Sequence, residues 1–168
     1  MKLFYFIALS VLLTSCWPTS VSFRDNSMPP EWKNFFLITL DNEAPNTPLS
    51  YPANLSEQLK DGVQNNTRLL LANNQDSSQV IISGVVAQYS VDPVAIQDGD
   101  VAAQNRLTVR VNFQIDITSP EVDQKTLTAT RFVDYDASTD LGIVETELLN
   151  AVNEQIVQDL INKLLSNW

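Results

Sequence analysis

In the stretch NRLTVRVNFQIDI, residues 105–117, apolar and polar side chains alternate without a break from Arg106 onward. Leu107, Val109, Val111, Phe113, Ile115 and Ile117 take one set of alternate positions, and Thr108, Arg110, Asn112, Gln114 and Asp116 take the other. Successive side chains of a β-strand point to opposite faces, so the pattern specifies a strand with one buried and one polar face. Residues 125–135 make a second long strand. The turn at 118–124 between the two predicts an antiparallel hairpin.

Upstream, residues 79–91 (QVIISGVVAQYSV) are apolar on both faces at first, which marks a central strand. Residues 33–40 (KNFFLITL) are apolar and β-favouring and give a first strand, and 67–72 (TRLLLA) give a short one. The segment 41–52 contains Pro45, Pro48 and Pro52 and reads as a loop. Asn54 precedes Glu57 by three residues, a helix-start pattern, and Leu55, Leu59 and Val63 then repeat at i+4 up to Asn65-Asn66. Ser138-Thr139-Asp140 starts the last helix, with Glu145 and Glu147 near its positive end and Lys163 near its negative end. Its stripe is Val144, Leu148, Val152, Ile156, Leu160 and Leu164, widened by Leu141, Leu149, Ile161 and Leu165. At 1.5 Å per residue this helix runs about 36 Å, long enough to cross a sheet of four or five strands. The expected fold class is α+β: two helices packed on one face of a mixed four- to five-stranded sheet, in the order β-α-β-β-β-β-α. The first helix is placed to act as a crossover between parallel strands.

The first apolar run has a different character. Lys2 precedes residues 3–13 (LFYFIALSVLL), in which only Ser10 is polar. That length suits the core of a secretory signal and falls short of the roughly 20 residues that a membrane span needs. Leu13-Thr14-Ser15-Cys16 resembles the bacterial lipobox, and Cys16 is the chain's one cysteine. The resemblance implies a diacylglyceryl thioether on Cys16, cleavage between Ser15 and Cys16, and acylation of the new terminus. Acyl chains at about 0.8 kcal/mol per buried CH₂ would hold such a protein on a bilayer. Trp17 rather than Asp follows, which by resemblance to lipoprotein sorting favours the outer membrane. The expected division is a signal peptide at 1–15, a lipidated tether at 16–31 ending in Pro29-Pro30, and one domain at 32–168.

The precursor carries a formal charge of −10, and loss of Lys2 with the signal makes it −11. Such a balance opposes nonspecific binding to nucleic acid or to an anionic bilayer surface. There is no histidine, which removes His-based triads, His metal ligands and the usual acid–base group near neutrality. A Cys16 consumed by lipid leaves no thiol for catalysis, zinc or a disulfide. The four glycines are isolated, so there is no phosphate-cradling loop. Asp134-Tyr135-Asp136 is the one carboxylate cluster that invites a hydrolytic reading, since alternate strand residues point the same way. A strand-end turn capped by acids explains it equally in kind and more commonly in practice. The expectation is a non-enzymatic protein with no cofactor beyond the covalent lipid.

Several stretches together resemble one family. They are LSEQLKDGVQNNTRLLL (55–71), ISGVVAQYSVDPVAI (82–96), AAQNRLTVRVNFQI (102–115), TRFVDYDAS (130–138) and LINKLLSNW (160–168). These are similar to LptE, the lipopolysaccharide-assembly lipoprotein family, over most of residues 32–168. The resemblance implies a plug and assembly factor for a large LptD-type β-barrel that delivers lipopolysaccharide to the outer leaflet. It also implies that lipopolysaccharide itself is a possible ligand of basic residues. Arg106, Arg110 and Arg131 are the candidate cations, expected to lie together if the two long strands pair. Solvated or ion-paired strand residues are the plain alternative for all three. Two other functions fit the composition: an outer-membrane lipoprotein adaptor for some other periplasmic protein, and a carboxylate-dependent hydrolase of envelope glycans.

Cys16→Ala is expected to abolish both lipidation and processing at this position, because the acceptor thiol is gone. Metabolic labelling with a palmitate analogue reads the outcome, and label retained on the variant would refute the lipid anchor.

Overall fold

The computed structural model describes residues 28–94 and 104–166. The expected signal peptide, and the tether up to residue 27, lie outside the described residues. Met28 is buried in the core and the Pro29 carbonyl accepts the backbone N–H of Trp32, while Pro30 and Glu31 are exposed.

The elements are β1 (Asn34–Leu37), β2 (Asp41–Asn42), α1 (Tyr51–Asn66), β3 (Leu70–Leu71), β4 (Val80–Val94), β5 (Gln104–Ile117), β6 (Asp123–Asp136) and α2 (Leu141–Leu165). They form one mixed sheet in the order β3-β1-β4-β5-β6, with β2 also pairing with β4. β1 runs parallel to β3 and β4, while β5 lies between β4 and β6 and is antiparallel to both. The expected α+β class, hairpin and crossover are all present. Counting the two-residue β2 and β3, the sheet has six strands.

β5 sets the sidedness. Its buried residues Leu107, Val109, Val111, Phe113 and Ile115 stand opposite Val133, Arg131, Ala129, Leu127 and Lys125 of β6. On the β4 side the same face carries Val80, Ile82, Val86 and Tyr89, with a register shift between Val86 and Gln88. Both helices cover this face. Leu55, Leu59 and Val63 of α1 and Val152, Ile156, Leu160 and Leu164 of α2 are fully buried in the same core. Each such side chain contributes about 1.5–3 kcal/mol on leaving water.

Two boundaries differ from expectation. α1 begins at Tyr51, one turn before the Asn54 signature, and the Asn54 N–H donates to the Ser50 carbonyl as an ordinary helical bond. Pro52 sits in the first turn, where its missing N–H has no intrahelical partner to lose, so the proline counted as loop is the helix start. β1 ends at Leu37, and Asp41–Asn42 rejoin the sheet inside the expected loop. The break is bridged by Ser56, whose buried hydroxyl accepts the Leu40 N–H at 2.9 Å and donates to the Pro52 carbonyl at 2.6 Å. α2 starts as expected, with the Asp140 side chain accepting the Gly142 N–H at 2.8 Å.

A polar pair ties the helices together inside this core. The Tyr51 hydroxyl donates to Asn153 Oδ1 at 2.7 Å, and the Tyr51 and Tyr89 rings lie 6.4 Å apart. The Tyr89 hydroxyl donates to Glu145. Burial pushes both phenols above their ordinary pKa, and the Glu145 carboxylate adds to the rise at Tyr89.

Gly84 lies in β4 where a Cβ would stand 2.7 Å from the Asn112 carbonyl oxygen and 3.0 Å from Leu40 Cδ2 and Phe113 Cδ1. Gly84→Ala is therefore expected to cost about 1–3 kcal/mol through overpacking. Urea denaturation measures it, and an unchanged midpoint would contradict the tightness of this contact.

Candidate functional site

The helices occupy one side of the sheet, so the opposite side of β4, β5 and β6 is the large surface left by the fold. Alternation puts Arg106, Thr108, Arg110, Asn112, Gln114 and Asp116 of β5 there. Across the ladder they face Asp134, Phe132, Thr130, Thr128, Thr126 and Gln124 of β6. A shallow depression on this side is walled by Asp41, Ser83, Asn112, Gln114, Thr126 and Thr128.

Side chains on this face hydrogen-bond across and along the strands. Thr128 donates to Asn112 Oδ1 at 3.0 Å, Gln124 Nε2 donates to Asp116 at 2.7 Å, and Gln114 Nε2 donates to both Asp116 oxygens at 3.0 and 3.1 Å. Cross-strand pairs of this kind hold a polar sheet face in order.

The three candidate arginines divide between two sides, which corrects the expected cluster. Arg106 makes a bidentate pair with Asp134, at 2.7 and 2.8 Å, and its guanidinium lies 3.9 Å from the centre of the Phe132 ring. Arg110 is exposed and donates to Thr130 Oγ1 at 3.2 Å. Arg131 stands opposite Val109, on the helix side, and pairs there with Asp159 of α2. The reason is parity: 106 and 110 share the polar set of β5, whereas 131 belongs to the apolar set of β6. Strand pairing alone brings only the first two to one face. Cys16 and Ser15 lie outside the described residues.

The two acids that invited a hydrolytic reading are both engaged. The hydrogen bond from Arg106 holds the Asp134 carboxyl below the usual carboxylate range. Asp136 accepts the Ser138 hydroxyl and backbone N–H, at 2.6 and 2.8 Å, and these bonds lower it likewise. An acid stabilised as the carboxylate is poorly suited to donate a proton near neutrality. Among the described residues no group of three or more carboxylates is gathered for a metal ion. The arrangement offers hydrogen bonds and two guanidinium groups, one neutralised and one free of any carboxylate among the described residues.

Sequence reasoning missed Phe132, which is 49% exposed on this face. The signal was available, since Phe132 shares its parity with Thr126, Thr128 and Thr130.

Comparison with known proteins bears on this arrangement. No curated protein matches the chain in sequence. Several solved structures share the fold. The solution structure of the uncharacterized lipoprotein B from Nitrosomonas europaea superposes with a TM-score of 0.58 at 14% identity, over 89% of this chain and 91% of that one. A PelC dodecamer from Paraburkholderia phytofirmans gives 0.51 at 16% identity, over 84% and 95%. XCC0632 from Xanthomonas campestris gives 0.51 at 14%, over 83% and 90%. At these identities the likeness concerns the fold. A sequence model of the lipopolysaccharide-assembly family LptE matches residues 38–166, which takes in both helices and all but the first strand and its approach. The chain belongs to the LptE lipopolysaccharide-assembly family.

Proposed function

We propose that this protein is a lipoprotein of the outer membrane, acylated on Cys16, that serves lipopolysaccharide assembly without catalysis as the plug and assembly partner of a large LptD-type β-barrel. The observation that carries the reading is the uncovered, hydrogen-bonding side of β4–β6 in a chain that belongs to the LptE family. The polar lumen of a barrel matches such a surface, because an apolar plug face would be costly to leave wet. Arg110 and Phe132 are its two projecting features, one cationic and one aromatic, the residue kinds that carry binding energy at interfaces. Arg106 acts beneath them by stacking on Phe132 and holding its own charge against Asp134. Direct contact with lipopolysaccharide would fall on Arg110 in this reading, since Arg106 and Arg131 are already paired.

Arg110→Glu is expected to weaken recovery of the barrel in a mild-detergent pull-down from envelopes. Thermal unfolding of the variant should stay within about 0.5 kcal/mol of the parent, as for other exposed strand positions. Full recovery with unchanged stability would move the interface to the helices or to residues 41–50. Recovery of a different periplasmic protein in place of a heat-modifiable barrel would favour the adaptor reading.

A further inference from the structure

β6 ends the sheet order, and the pairing of its neighbours decides which of its backbone groups point outward. The carbonyls of Ile82 and Val86 accept the N–H groups of Ile38 and Glu43, on the β1 and β2 side of β4. Ile81, Ser83 and Val85 therefore turn their backbone groups toward β5, where Asp116, Gln114 and Asn112 stand opposite. The alternate residues of β5 bond the other way, to Lys125, Leu127, Ala129 and Arg131 of β6. The even-numbered residues of β6 are left to face outward. Both ends of that row are closed from within the chain. The Gln124 N–H donates to Asp123 Oδ1 at 2.8 Å, and the Asp136 carbonyl accepts the Thr139 N–H at 3.0 Å. Between them, the N–H and C=O groups of Thr126, Thr128, Thr130, Phe132 and Asp134 have no backbone partner among the described residues. At the opposite edge of the sheet, β3 is two residues long.

α2 packs over β6 and supplies the second wall of a groove beside this row. The groove has a volume of about 540 Å³, and Leu127, Arg131, Asp159, Asn162, Lys163 and Ser166 are among its lining. An open strand edge is where an extended peptide adds as a further strand, its main chain giving attachment and its alternate side chains selectivity. Strand alternation sends every second side chain of such a peptide to the helix side, into the groove. The others come to lie beside Thr126, Thr128, Thr130 and Phe132 on the open side, residue kinds that pair well across strands. Two cations and one carboxylate line the groove, a local positive excess on a chain of net charge −10.

We infer that the edge of β6 binds an extended segment of a partner polypeptide by strand addition, with acidic side chains at the alternate positions that enter the groove. The main chain of that segment bonds to residues 126–134, and its carboxylates meet Arg131 and Lys163. This goes beyond the barrel reading, which concerns the open side and Arg110, so the two are tested on different residues.

The test titrates the protein, purified from cells in mild detergent, with a short synthetic peptide of alternating threonine and glutamate. A second peptide carries lysine in place of glutamate. Amide hydrogen exchange followed by NMR is expected to slow several-fold at Thr126, Thr128, Thr130 and Phe132 with the glutamate peptide, and the lysine peptide should bind several-fold more weakly. Thr128→Pro removes one outward donor at an edge position of the kind that tolerates proline, and should abolish binding. Circular dichroism checks that this variant folds. Lys163→Glu leaves the edge backbone untouched and should level the preference between the two peptides, which keeps the test decisive if the proline variant fails to fold. Unchanged exchange at the four amides, binding retained by folded Thr128→Pro, or a preference for glutamate unaltered by Lys163→Glu would each overturn the inference. Self-association of the protein alone that protects the same amides would make a second copy the occupant, and would overturn it as well.

Discussion

The antiparallel pairing of β4, β5 and β6 commits every second side chain of three long strands to one side, and nearly everything else in the molecule answers to that commitment. The apolar side needs a cover about as long as the strands, which α2 supplies with its 25 residues and α1 completes. Once both helices are on that side, the other must remain compatible with water or with a polar partner. The fold therefore produces a hydrogen-bonding surface as the complement of its own core. In a family whose work is assembly rather than turnover, such a surface is a natural place for function to reside.

Charge is distributed by the same parity. Arg106 and Arg110 are four residues, or two strand repeats, apart and share the wet side, while Arg131, across from Val109, is drawn to α2. The net charge of −10 does not describe either side locally. Arg106 is cancelled by Asp134 and works as a support for an aromatic ring, so Arg110 is the cation on this side with no carboxylate partner among the described residues. Recognition of an anionic ligand on this side would rest on one guanidinium surrounded by amides and hydroxyls, in place of a basic patch.

Much of this was legible from residues alone, and the reasons for the rest are specific. The alternation in 105–117 and the long stripe of 141–165 are strong periodic signals, and both elements formed where expected. β2 escaped notice because two residues carry no period, and its pairing depends on where β4 happens to run. The start of α1 was displaced because Pro52 resembles a loop residue until its neighbours place it in a first turn. The arginine cluster was misread by treating paired strands as if adjacency implied a common side, when counting odd and even positions would have separated Arg131. Nothing in the sequence foretold that Trp32 reaches Ser119, a contact across 87 positions.

β6 is the last strand in the sheet order, and its 14 residues leave one long row of backbone donors and acceptors without a strand beside it among the described residues. Edges of this length invite pairing between copies, and proteins commonly guard them with charges turned toward the covered side. Lys125 and Arg131 occupy that position here, and Arg131 is fastened to Asp159 on α2. A second chain laid against β6 would have to seat its own inward residues beside these two cations. The ion pair that draws Arg131 to the helix side thus leaves it where a second chain would have to pass, a placement of charge that exposed edges commonly use against pairing.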